Sequence, residues 1–116
     1  MSNERINEVL KKFGLSSIDV QVYVFLANQG SKEIKEVALA LDLPEKKVHR
    51  SLKDLQSLCI VEASIEYPLE FMALPFERVL DLLIEIKKEQ TKSLQASKEE
   101  LLSAWRYITE KDNEKS

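Results

Sequence analysis

Lys46, Lys47, His49, Arg50 and Lys53 bring four fixed cations and one imidazole into eight consecutive residues. Side chains of this kind at this spacing make and break no bonds. They attract anions and donate hydrogen bonds. Val48, Leu52 and Leu55 recur among them at i, i+4, i+7, the spacing of one helical face, and the cations fall off that face. A short helix that buries one side and offers cations on the other can lie in a DNA major groove. There a guanidinium such as Arg50 can bond two acceptors of guanine, while lysines more often hold phosphate. The competing reading is an ordinary amphipathic helix with a solvated charged face.

Other chemistry finds few residues to carry it. His49 is the one histidine and Cys59 the one cysteine, so no ligand set at zinc spacing exists and no internal disulfide can form. Two glycines are too few for a glycine-rich phosphate loop. A nucleophile–histidine–carboxylate triad would have to recruit His49, whose neighbours are cations. The expectation is a protein without catalysis, cofactor or metal. Cys59 reads as a small buried hydrophobe rather than a redox switch. Tyr23 and Phe25 read as helical core, and Phe71 as the buried side of a hairpin. Trp105 and Tyr107 read as core or dimer contacts rather than base-stacking groups.

The elements that must position the basic cluster follow from periodicity. Ile6, Val9, Leu10 and Phe13 recur at helical spacing up to Gly14. Ser16 or Ser17 can cap a second helix with Ile18, Val22, Tyr23, Phe25 and Leu26 inward, ending at Gly30. Ser31 can cap a third with Ile34, Val37, Ala38 and Leu41 inward, and Asp42-Leu43-Pro44 is the turn into a fourth helix from about Glu45 to Leu58. The period then drops to 2. Val61, Ala63 and Ile65 alternate with Glu62, Ser64 and Glu66, Tyr67-Pro68 interrupts, and Leu69 to Leu74 resumes, which predicts a β-hairpin. Pro75 and Phe76 open a last, long helix. The fold class expected is mainly α with a small β-hairpin: a winged helix-turn-helix over residues 1–75, and a long C-terminal dimerisation helix with a tail over 76–116.

In Phe13-Gly14-Leu15-Ser16-Ser17-Ile18-Asp19-Val20-Gln21-Val22-Tyr23, in Leu43-Pro44 with Lys47 through Leu55, and in Tyr67-Pro68 with Phe71 through Pro75, the sequence resembles the TrmB-like transcriptional regulators. The resemblance covers roughly residues 5 to 110 as a whole pattern. It implies DNA binding and dimer formation. Longer members carry a ligand-binding domain, often for sugars, after this helix; the sequence stops at Ser116, so a short form without the effector domain is expected, and any small-molecule effector is unknown.

Two positions depart from the family pattern. The family wing usually carries glycine and arginine near its tip, whereas residues 62 to 70 hold Glu62, Glu66 and Glu70 and no Lys or Arg. A phosphate ~5 Å away repels each carboxylate by about 1 kcal/mol near bulk-water dielectric. An acidic wing suits a protein partner better than DNA, which keeps open an alternative: a winged-helix protein–protein interaction module. At position 59 relatives often have glycine, where a helix ends with φ > 0. Cys59 implies either a different ending or modest strain.

From Glu77 to Ile108 neither Gly nor Pro interrupts the sequence. Val79, Leu83, Ile86, Leu94, Leu101, Trp105 and Ile108 are the candidate dimer interface, in a broken heptad pattern rather than a regular coiled coil. Such a helix exposes more apolar surface than the preceding domain can cover, and a second copy would cover the rest. The whole chain is 116 residues with a formal net charge of −3, which argues against a strongly basic coat but not against a local basic patch. There is no apolar run long enough for a membrane span and no signal-peptide pattern at Met1 to Arg5. The cytoplasm is the expected location.

Overall fold

The computed structural model describes the backbone of residues 2–115 and the side chains of residues 4–110. Met1 to Asn3 and the tail from 111, included in the domains drawn from sequence, lie outside those side chains. The order is α1 (Ser2–Lys12), α2 (Ser17–Gln29), α3 (Ile34–Leu41), α4 (Glu45–Ser57), β1 (Val61–Ala63), β2 (Phe71–Ala73), α5 (Phe76–Ala96) and α6 (Lys98–Lys115). Two compact units result, one up to Leu80 and one from Asp81. The division falls inside α5 and not at its start, because the first turn of that helix is core: Val79 is fully buried.

The first unit is a winged helix-turn-helix. Its core gathers Leu10 and Leu15, the α2 residues Val20, Val22, Tyr23 and Leu26, Val37 and Ala38 of α3, Val48, Leu52 and Leu55 of α4, and Ile60, Val61 and Phe71 around the hairpin. α2 is the central helix, capped as its sequence suggests. Ser16 Oγ accepts the Asp19 N–H, and Asp19 Oδ2 accepts the Ser16 N–H, each at 3.0 Å. Phe25, Ile34 and Leu41, expected inside, are only half-buried.

Three helices end alike. At Gly14, Asp42 and Cys59 the chain turns left-handed (φ 99°, 54° and 64°). The next residue's N–H then reaches back to a carbonyl five residues earlier: Leu15 to Leu10 (3.3 Å), Leu43 to Ala38 (3.0 Å) and Ile60 to Leu55 (2.9 Å). This closure satisfies carbonyls that a helix end leaves free, and it needs φ > 0 at the turning residue. Asp42 in this conformation makes the tight turn between α3 and α4. Cys59 adopts it despite its Cβ and is exposed, so the expectation of a buried small hydrophobe is corrected. At this turning position the Cys59 side chain is left open to solvent.

Two further expectations change. α3 is capped by Glu33, paired with Glu36 in a capping box, and not by Ser31. The chain is still extended there. Lys32 pairs with Phe71 through two backbone hydrogen bonds (3.1 and 2.8 Å), adding a third short strand segment beside β2. The hairpin itself is shorter than its alternation predicts: Val61 pairs with Ala73, Glu62 with Met72 and Ala63 with Phe71, and the ladder stops. Ser64 closes the loop, its N–H donating to the Glu70 carbonyl (2.8 Å) and its Oγ accepting the Glu70 N–H (2.9 Å). Residues 65–69 are thereby lifted off the ladder, and Ile65, expected on the buried face, is 97% exposed. The Tyr67–Pro68 bond in this loop is cis.

In the second unit the long helix is interrupted at Ser97, giving α5 and α6. Ser97 N–H donates to Ser93 O (3.1 Å), closing α5, and Ser97 O accepts the Leu101 N–H (2.9 Å), opening α6.

Candidate nucleic-acid interface

The geometry of α4 is set from behind. Val48, Leu52 and Leu55 are buried to within 1%. Ser51, between them, is the one polar side chain of α4 on that face among the described residues; its Oγ–H donates to Asp19 Oδ1 at 2.6 Å. Asp19 therefore has two roles, closing the α2 capping box with one carboxylate oxygen and holding α4 with the other. Both ends of this bond are buried, so it fixes the rotation of α4 about its own axis more sharply than apolar contacts alone. The sequence carries traces of it: Asp19 stands three residues after Ser16, the spacing of a capping box, and Ser51 interrupts an apolar face. Neither trace tells which residue pairs with which.

The hairpin is tied to the same helix pair. The Tyr23 hydroxyl donates to the Leu74 carbonyl at 2.6 Å, just after β2. Burial pushes the Tyr23 phenol up from its ordinary value of 10.0, because the anion would lose its solvation there.

With its inner face held, α4 turns Lys46, Lys47, His49, Arg50 and Lys53 outward, and all five are exposed. Lys46, His49, Arg50 and Lys53 line one open groove of about 600 Å³ together with Ile34, Glu45 and Asp54; Lys47 lies outside it. Pro44 precedes the helix with extended backbone (φ −62°, ψ 141°) and its carbonyl accepts the Lys47 and Val48 N–H groups, while among the described residues no side chain caps the N–H groups of Glu45 and Lys46. Uncapped N–H groups at a helix start are ready donors to an anion such as phosphate. Residues 45–56 carry Lys46, Lys47, Arg50 and Lys53 against Glu45 and Asp54, a formal +2.

The wing has the opposite sign. Glu62, Glu66 and Glu70, a formal −3 over residues 62–70, line a second concavity with Ser31, Ala63, Ser64, Ile65 and Met72. Among the described residues no group of three or more His, Cys, Asp or Glu side chains is placed to hold a metal ion.

The candidate dimer residues divide into two sets. Val79 and Leu83 are covered within one chain, which leaves them almost no surface to offer a second copy, and Ile86 is half-buried. Leu94, Leu101, Trp105 and Ile108 are exposed, Trp105 by 63%.

Known proteins match at the levels of family and fold. TrmBL2, described as an archaeal chromatin protein with a novel mode of DNA binding, superposes with a TM-score of 0.79 at 20% identity, over 93% of this chain and 42% of that one. This chain thus spans less than half the length of TrmBL2. A possible transcriptional regulator from Methanosarcina mazei Go1 gives a TM-score of 0.66 at 17% identity, over 82% of this chain and 87% of its own. ST1889 from the thermoacidophilic archaeon Sulfolobus tokodaii gives 0.64 at 20% identity, over 80% and 98%. At such identities these likenesses establish the winged-helix fold. No curated protein sequence matches the chain. The family model of the sugar-specific transcriptional regulator TrmB matches residues 10–77, more than half of the sequence and all of the helix-turn-helix and wing, and the chain belongs to the TrmB family of transcriptional regulators.

Proposed function

We propose that this chain is a DNA-binding transcription regulator, that it acts as a dimer, and that α4 enters the major groove of double-stranded DNA. One observation carries the reading: α4 is locked by Val48, Ser51, Leu52 and Leu55 on one side and presents Lys46, Lys47, His49, Arg50 and Lys53 on the other. Arg50 is the base reader, since a guanidinium can bond guanine at two points. The lysines and the uncapped helix start hold phosphates and set the register. Two copies would present two such helices to successive major grooves about 34 Å apart. No described helix is long and apolar enough to cross a membrane, and the cytoplasm is the proposed place of action. The domains proposed are a winged helix-turn-helix over 1–75 and a dimerisation helix with its tail over 76–116.

The acidic wing favours a second reading, a protein–protein interaction module without DNA binding. Fluorescence anisotropy on a labelled random duplex separates the two. DNA binding predicts affinity at low salt that falls steeply as salt rises. Arg50→Ala should cost about 1–3 kcal/mol, and Lys47→Ala should lower the salt slope by about one unit. No binding at low salt, or binding indifferent to both substitutions, would leave the interaction module as the better account.

A further inference from the structure

Five exposed apolar side chains of the second unit share a seam that the dimer reading above does not specify, while Leu102 and Tyr107, also exposed, lie off it. Ile84, Leu94, Leu101, Trp105 and Ile108 are all about half exposed or more. They fall on one series of alternating three- and four-residue steps, completed by Lys87, Thr91 and Lys98. This is the spacing of a coiled-coil seam. Ser97 alone separates the two helices, its N–H closing the last turn of α5 and its carbonyl opening the first turn of α6. The first half of the seam holds Ile84, Lys87, Thr91 and Leu94, and the second half Lys98, Leu101, Trp105 and Ile108.

We propose that a second copy of this chain covers the seam in antiparallel orientation, centred near the Ala96–Ser97 joint. The proposal rests on the dimer reading and adds its direction, register and contact residues. In this register Ile84 packs against Ile108 of the second copy, Lys87 against Trp105, Thr91 against Leu101, and Leu94 against Lys98. Each layer then contains at least one large apolar side chain. The Lys87 ammonium meets the indole of Trp105, a favourable cation–π pairing. The lysine stems can lie along apolar neighbours while their charges reach water. A parallel, in-register pair sets each residue against itself. It would bring Lys87 against Lys87 and Lys98 against Lys98, and leave the Lys87, Thr91 and Lys98 layers without any large apolar side chain. Charge and apolar coverage therefore both select the antiparallel pair.

The test uses the full chain with Cys59→Gly, which removes the native thiol, and adds Ile84→Cys, Ile108→Cys or both. Light scattering first reports the assembly state, and mild oxidation then reports which thiols meet. The expected result is a dimer that cross-links covalently only in the double variant. Single variants that each cross-link to themselves would establish the parallel pair and overturn the proposal. A dimer in which no variant cross-links would also overturn it, placing the interface elsewhere, while the dimer reading survives. A monomer in the Cys59→Gly parent would overturn the dimer reading itself. Trp105, the single tryptophan, gives a second readout that does not depend on added thiols. Its emission should shift to the blue as concentration rises through the dimerisation range, and Lys87→Glu should weaken dimerisation by about tenfold or more by placing an anion on the indole face. Emission that stays solvent-like in the dimer overturns the placement of Trp105 in the seam.

Discussion

Truncating the buried link between Asp19 and Ser51 tests what holds α4 in place. Ser51→Ala deletes a 2.6 Å hydrogen bond to a buried carboxylate and leaves Asp19 Oδ1 short of a partner. Hydrogen bonds to charged groups contribute about 1.5–3 kcal/mol, and Ser51→Ala should cost that much. Asp19→Ala should cost more, about 2–5 kcal/mol. It loses the same bond, strands the Ser51 hydroxyl, and also removes the capping-box contact to the Ser16 N–H, where a cap contributes about 0.5–2 kcal/mol. The double variant should be less destabilised than the sum of the singles by about 1.5–3 kcal/mol, because the shared bond can be lost only once. Ser16→Ala is the control: it touches the cap and not α4, so its effect should add to that of Ser51→Ala within about 0.5 kcal/mol. Urea unfolding followed by far-ultraviolet circular dichroism measures all of these, provided the transition is two-state. On the proposed function, Ser51→Ala should also weaken DNA binding although no charge has changed. A coupling energy below about 0.5 kcal/mol between positions 19 and 51 would refute the idea that this bond orients α4.

Three further outcomes are expected. Tyr23→Phe should cost about 1–2 kcal/mol by removing the bond to the Leu74 carbonyl. Because burial raises the Tyr23 pKa in the folded state, the unfolded chain binds fewer protons once pH exceeds about 10. Wild-type stability should therefore be intact below that pH and decline as pH rises toward the folded-state value, and Tyr23→Phe should flatten the decline in denaturant titrations at alkaline pH. Cys59→Gly should stabilise the fold by about 0.5–1 kcal/mol, since glycine adopts the left-handed conformation at position 59 without a Cβ penalty; a loss of thermal stability would contradict the strain at this residue. Glu66→Lys in the exposed wing should tighten non-specific DNA binding at low salt and steepen its salt dependence, which anisotropy on random duplex would reveal; no change would mean that the wing stays clear of DNA.

Much of this molecule could be read from residue order because the signals were local. A helical period ending at Gly14, Ser16 as a cap, apolar residues at i, i+4, i+7 in α4 with cations between them, and the switch to period 2 after Ile60 each report on one element at a time. Together they specify a winged helix-turn-helix and the basic face of its fourth helix. Local signals mislead where a partner from far along the chain takes over. Ser31 has the chemistry of a cap, yet Lys32 is drawn into the sheet by Phe71, and the helix starts after Glu33. Ile65 keeps the alternation, yet the Ser64–Glu70 closure ejects it. Val79 continues the apolar stripe of the long helix, yet it is buried within the first unit. The links from Asp19 to Ser51 and from Tyr23 to Leu74 join residues 32 and 51 positions apart. Sequence supplied the polar groups, but only the packed core, by excluding water from them, decided which would meet.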